Sequence, residues 1–253
     1  PSTANTPCVT PILLESGETK IYAVSVGENG LVSPLSILSY TVGGVIEEVT
    51  FVDACIEELV QEQLMFGSDT AIYSDDLWAV SKLTVPAEAL ELGDLRHLLY
   101  LEELTIEARE LADLSFLEGM NHLKKLDLSG CSLSCDLGLI KALPALEELT
   151  MRGCSISSLS FLEGAPSLKK LDLGSNAVGN LAALATIPTL QTLDLRDNAV
   201  RDLTPLAGLT ELTSLNLSEN VISDIGALAS CLKLGTLDVS DNKIASIAAV
   251  QKL

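Results

Sequence analysis

The sequence predicts an α/β solenoid, a right-handed superhelix of about eight similar coils that each give one short strand to a parallel sheet. Two observations carry that prediction. The six-residue frame LDLGSN at Leu171–Asn176 returns as LDLRDN at Leu193, LNLSEN at Leu215 and LDVSDN at Leu237, with first leucines 22 residues apart. Upstream the frame continues as LTMRGC from Leu149, LDLSGC from Leu126, LTIEAR from Leu104 and LTVPAE from Leu83, at nearly the same period. A single long helix has no reason to reset every 22 residues, whereas stacked coils do.

Each unit opens with a period-two strand. Leu171 and Leu173 point inward and Lys170, Asp172 and Gly174 outward. The frame closes on a ladder residue: Cys131, Cys154, Asn176, Asn198, Asn220 and Asn242. An Asn amide carries both donors and acceptors, so it can satisfy backbone groups in the tight turn that leaves the strand. Apolar residues then recur at about every third position, at Val178, Leu181, Leu184, Ile187 and Leu190. That spacing suits a return path of turns and 3₁₀ pieces. No coil can bury its leucines alone, so stacking on both neighbours makes the core. The pattern is the leucine-rich-repeat signature, L-x-L followed by Asn or Cys at a period of 20–29.

The first repeats are irregular, with Glu88 and Arg109 in the ladder column, and the coil from Leu126 carries one extra residue near Cys135–Asp136. That insertion should bulge away from the strands. Phe116 and Phe161 sit at equivalent places on the return path, to be packed at the rim or exposed as a docking pair.

Composition bounds the function. Of 253 residues, 47% are hydrophobic and only 4% aromatic, so aliphatic side chains do the packing. The formal charge of −20 argues against nucleic-acid binding and suits a cationic partner. No stretch is long and apolar enough to span a membrane. The six cysteines form no disulfide framework. Cys131, Cys154 and Cys231 read as small buried hydrophobes, with a Cys131–Cys154 bridge left open. Nothing predicts catalysis, a cofactor or a metal site: there is no phosphate loop, no nucleophile elbow and no cluster of His and Cys.

Binding is therefore expected on the outward, concave face of the sheet. One column reads Lys82, Glu103, Lys125, Glu148, Lys170, Thr192, Ser214 and Thr236. The middle column reads Thr84, Thr105, Asp127, Thr150, Asp172, Asp194, Asn216 and Asp238, and the third includes Arg152, Gly174 and Arg196. The candidate contacts are Lys125, Asp127, Glu148, Arg152, Lys170, Asp172, Asp194, Arg196, Asn216 and Asp238. The face has no aromatic residue, so only Arg152 and Arg196 look like anchors. It suits a protein or glycan ligand.

Residues 46–80 should cap the solenoid. Asp53 is a helix N-cap, followed by Ile56, Leu59, Val60 and Leu64 on one face, with Gly67–Asp69 as the stop. Residues 81–253 hold the repeats with no C-terminal cap, so Val239, Ile247 and Val250 would face solvent or associate with a partner. Residues 1–45 differ in kind, with strand-like alternation around Lys20–Val26 and Leu35–Val42 and a turn at Gly27–Gly30. Beginning at Pro1, the sequence reads as a fragment or processed form.

The run EEVTFVDACIEELVQEQL, the Asp75–Asp76–Leu77 trio and the 22-residue repeats together resemble internalin-like bacterial repeat proteins over about residues 46–253. The TKIYAVSVGENGLVSP run and Ser39–Val42 resemble part of the Ig-like module at the C-terminus of chitobiases and β-hexosaminidases. These resemblances imply a non-catalytic binding or adhesion module of a bacterial surface or secreted protein, extracellular or attached to the cell wall. The alternatives are an intracellular scaffold holding a regulatory partner, or the binding arm of a larger surface enzyme.

Overall fold

The computed structural model describes residues 17–23, 36–42, 46–68 and 70–251. The chain divides into two compact units, residues 1–47 and 48–253. In the first, β1 (Gly17–Ala23) and β2 (Ser36–Val42) pair antiparallel, Gly17 opposite Val42 and Ala23 opposite Ser36. β1 starts three residues earlier than the Lys20–Val26 alternation suggests. The expected Gly27–Gly30 turn, Cys8 and most of the segment read as Ig-like lie outside the described residues.

The second unit begins with α1 (Ala54–Leu64), and Asp53 caps it, Oδ1 accepting the N–H groups of Cys55 and Ile56. Ile56 and Val60 are fully buried, while Leu59 and Leu64 pack at the edge of the same core. The helix ends at Met65, in the left-handed region with φ 57°, before the Gly67–Asp69 stretch expected to stop it. A turn with both Met65 and Phe66 N–H groups bonded back to Glu62 and Gln61 closes the last carbonyls, so no glycine is needed.

The repeats then deliver β3 (Lys82–Val85), β4 (Glu103–Ile106), β5 (Glu110–Leu111), β6 (Lys125–Asp127), β7 (Ser132–Leu133), β8 (Glu148–Thr150), β9 (Lys170–Asp172), β10 (Thr192–Asp194), β11 (Ser214–Asn216) and β12 (Thr236–Asp238). All but β5 and β7 form one parallel eight-stranded sheet in sequence order, and β5 pairs with β7 in a small second sheet. Register is strict. Leu83, Leu104, Leu126, Leu149, Leu171, Leu193, Leu215 and Leu237 lie side by side. A slip of one residue would turn this leucine row outward, and that cost fixes the alignment.

Return paths are short 3₁₀ turns such as Ala182–Thr186 and Thr204–Gly208. The large apolar residues of one coil, Val178, Leu181, Leu184, Ile187 and Leu190, are at most 1% exposed, and Cys231 is as buried as Ile187 and Leu209. Phe116 and Phe161 are buried too, which settles them as core residues and removes the docking pair. The extra residue of the third coil, which starts at Leu126, lies after β7, where Asp136 Oδ1 accepts the N–H of Gly138.

Two buried carboxylates lock α1 to the first repeat. Asp53 Oδ2 accepts the N–H groups of Leu90 and Glu91, at 2.6 and 3.0 Å. Asp94, 2% exposed, answers with Oδ2 on the N–H groups of Val52 and Asp53, at 2.6 and 2.8 Å. Burial pushes the Asp53 carboxyl up, but its four backbone N–H partners outweigh that and hold it below the usual carboxylate value. A depressed pKa contributes stability above the unfolded-state value of about 3.9 and loses it as pH falls through the folded value. Asp53→Asn should therefore melt lower than wild type at pH 7. The gap should narrow as pH drops below about 4 in thermal melts across pH, whereas a gap independent of pH would contradict this role for the charge.

Candidate functional site

The sheet's outward face is built from three columns, and the structure shows what each is bonded to. In the first, charges alternate strand by strand. Glu103 lies 2.9 Å from Lys82 and 3.7 Å from Lys125, and Glu148 lies 3.7 Å from Lys125 and 2.7 Å from Lys170. Strands about 4.8 Å apart would set like charges in repulsion, and alternation removes it. Each exposed pair adds only about 0–1 kcal/mol, so the file sets the surface potential more than the stability. Lys82, bonded directly to Glu103, draws that carboxyl's pKa down.

The middle column does different work. Asp127 Oδ1 accepts from the backbone N–H and hydroxyl of Ser129, and Asp238 Oδ1 does the same with Ser240. Asn216 Oδ1 serves Ser218 alike. Asp172 takes the N–H of Gly174 and Asp194 that of Arg196. Each carboxylate or amide thus closes the turn two residues on. The sequence carries the signal as D-x-S, D-x-G, D-x-R and N-x-S, two residues apart in five frames. By contrast, the side chains of Thr84, Thr105 and Thr150 make no hydrogen bond among the described residues.

Both arginines of the face are occupied. Arg152 Nη1 pairs with Asp172 Oδ2 at 3.0 Å. Its guanidinium lies over Gly174, where an added Cβ would stand 3.3 Å from Nη2. Arg196 pairs with Glu219 at 2.7 Å, and that hydrogen-bonded ion pair raises its pKa further.

Beneath the rim runs the ladder. Asn198 Nδ2 donates to Leu195 and Arg196 carbonyls of its own coil and to Leu173 of the preceding one. Its Oδ1 accepts the N–H of Val178, also in the preceding coil, at 2.8 Å. Asn176, Asn220 and Asn242 repeat the same set one coil apart, with Ile156, Val200 and Ile222 as donors. The amide therefore spans two coils, beyond the single turn that the sequence suggested. The residue before it is left-handed in each case: Ser175, Asp197, Glu219 and Asp241, with Gly130 and Gly153 before the two cysteines. Only at Gly130 is glycine also required by contact, since a Cβ would meet Ala108 at 2.9 Å.

Cys131 and Cys154 are free and buried. Burial pushes both thiols up, so they stay protonated and can donate. Cys154 Sγ reaches the Leu128 and Arg152 carbonyls, the places served by an Asn Nδ2 in later coils. A thiol has no oxygen with which to accept. At Leu111, the position from which Val178 donates to an Asn, the chain instead pairs as β5 with β7. Arg109, next up the column, sends Nη2 to the carbonyls of Ala87 and Ala89.

At the β3 end a shallow cleft of about 350 Å³ lies between α1, through Leu59, Glu62 and Gln63, and Lys82, Thr84, Glu103 and Thr105. A smaller one of about 200 Å³ adjoins it over Lys125, Asp127, Glu148 and Thr150. Among the described residues no group of three or more His, Cys, Asp or Glu is placed to hold a metal, and no helix is long and apolar enough to cross a membrane.

Asn198→Ala should cost about 2–4 kcal/mol, because it strands the Val178 N–H and three carbonyls at once. Urea unfolding measures this, and an unchanged midpoint would contradict the ladder.

Comparison with known proteins agrees with this construction. The family model described as leucine-rich repeats in two copies matches residues 121–164, 166–208, 188–230 and 210–252, together just over half the chain. No curated protein matches the chain. Among solved structures, internalin C2 of Listeria monocytogenes is 28% identical, with TM-score 0.71 over 80% of this chain and 90% of that one. The internalin InlF of the same organism is 23% identical, with TM-score 0.55 over 80% and 73%. InlP, also from Listeria monocytogenes, is 22% identical, with TM-score 0.60 over 75% and 58%. These last two likenesses speak for the fold alone. The chain belongs to the leucine-rich-repeat family, with Listeria internalins among its structural neighbours.

Proposed function

We propose that this protein is a non-catalytic binding module of a bacterial surface or secreted protein, taking a protein or glycan ligand on the outward face of its eight-stranded sheet. The likeness to internalin C2 over most of both chains supports that setting. Residues 46–80 act in this reading as the cap that covers the first coil. The stretch 1–45 is taken as part of an Ig-like module.

The single observation that carries the reading is the uneven state of the face. Toward β12, Asp194, Asn216 and Asp238 are committed to internal hydrogen bonds and Arg196 to Glu219. Toward β3, the hydroxyls of Thr84, Thr105 and Thr150 make no hydrogen bond among the described residues and lie beside the two clefts and the Lys–Glu file. A ligand laid there gains new hydrogen bonds without displacing old ones. The ligand site is thus centred on the hydroxyls of Thr84, Thr105 and Thr150, with Lys125 and Glu148 at its side, and Asp127 and the remaining candidate residues shape the surface.

Protease shaving of intact source cells tests the setting. Fragments from residues 83–253 should be released into the medium. Protection until lysis would sink the surface reading in favour of an internal scaffold.

A further inference from the structure

A second surface stands apart from the sheet face, on the loops that lead into the first strands. Five places before the strand leucine, three successive coils carry Trp78, Leu99 and Asn121, and four places before it they carry Ala79, Tyr100 and His122. Trp78 is 69% exposed, Tyr100 51% and Leu99 41%. The Tyr100 and His122 rings stack, with centroids 5.4 Å apart and planes 21° from parallel, so two coils share one flat shelf. In the next three coils the same two columns hold Pro144, Pro166 and Pro188 and Ala145, Ser167 and Thr189. Aromatic exposure is therefore confined to one end of the edge. The core among the described residues is aliphatic apart from Phe51, Phe116 and Phe161, and the chain's one tryptophan faces solvent. Single exposed apolar residues need no explanation, but three in neighbouring coils mark an interaction surface.

Charge tells what kind of partner fits. Asp75 and Asp76 immediately precede the turn that carries Trp78, and Glu118, in the column of Asp75, is likewise exposed. Arg96 is the one cation in that column among these three coils. The whole chain carries −20. Open aromatic faces beside carboxylates recognise cations: a guanidinium or ammonium lies over the ring while the acid takes its N–H groups.

We propose that the Trp78–Leu99–Tyr100–His122 edge docks a basic polypeptide segment, an arginine or lysine lying over the aromatic faces and Asp75 and Glu118 receiving its neighbours. This surface would hold a partner independently of any ligand on the sheet.

Because Trp78 is the only tryptophan, its fluorescence reads occupancy directly. The full chain is titrated with nona-arginine and, separately, with cellohexaose, at about 0.15 M salt to screen general attraction. Nona-arginine should quench Trp78 saturably and cellohexaose should not. Tyr100→Ala and Asp75→Asn should each weaken the peptide by about threefold or more with melting unchanged. Asp224→Asn, which removes the same charge from a distant coil, should leave affinity as it was. The proposal is overturned if nona-arginine gives no response, or if cellohexaose is the probe that binds. Equal losses in Asp75→Asn and Asp224→Asn would reduce the effect to net charge. A Trp78 already shielded from acrylamide in the free chain would show that the edge is covered by the protein itself.

Discussion

Everything in the repeat unit depends on one side-chain amide. An Asn that gives its Nδ2 to carbonyls of two coils and takes an N–H from the earlier one, as Asn198 and Asn220 do, joins neighbours where the sheet has already ended. Leucine burial drives the coils together without direction. The amide supplies the direction, because its acceptor and donors match only when successive coils are in register. Left-handed residues before it, such as Asp197 and Glu219, aim the side chain inward. Where the column changes chemistry the backbone changes with it. Cys131 and Cys154 keep the donor and lose the acceptor, and a second strand pair appears beside them.

The same economy explains the outer face. Residues that look like free acids or anchors are mostly partners of one another across strands. Arg152 answers Asp172 and fills the space that Gly174 leaves, and the Lys–Glu file cancels charge at each step. In the proposed function, the part of the face open to a ligand is the one toward α1, where threonines take the places of Asp and Asn. The regular pattern relaxes at that end of the sheet, where the two buried aspartates bind α1 to the first repeat.

Much of this was legible beforehand, and for definite reasons. Period and alternation located the strand frames and the inward leucines, since burial repeats with the coil. The places of Cys131 and Cys154 in the ladder column and of Cys231 in an apolar column foretold buried thiols. What stayed hidden depends on three-dimensional pairing. That Asp127 and Asp238 close turns, that Arg196 meets Glu219 one coil on, and that Asp94 reaches back to Asp53 all require knowing which backbone atoms end up adjacent. The helix stop at Met65 was missed because a left-handed methionine did what glycine usually does. The aromatic edge escaped notice because Tyr100 and His122 lie 22 residues apart and meet only when coils stack.

Native-state hydrogen exchange of the Val178, Val200 and Ile222 amides tests the account most directly. These N–H groups lie outside every strand and donate to the side chains of Asn198, Asn220 and Asn242. If the amide ladder joins the coils, they exchange as slowly as the amides of Leu173, Leu195 and Leu217, which donate to backbone carbonyls of the next coil just past the strand ends, and open only with them. Fast exchange at these three, with the sheet still protected, would show coils held by leucine packing alone and would contradict the ladder.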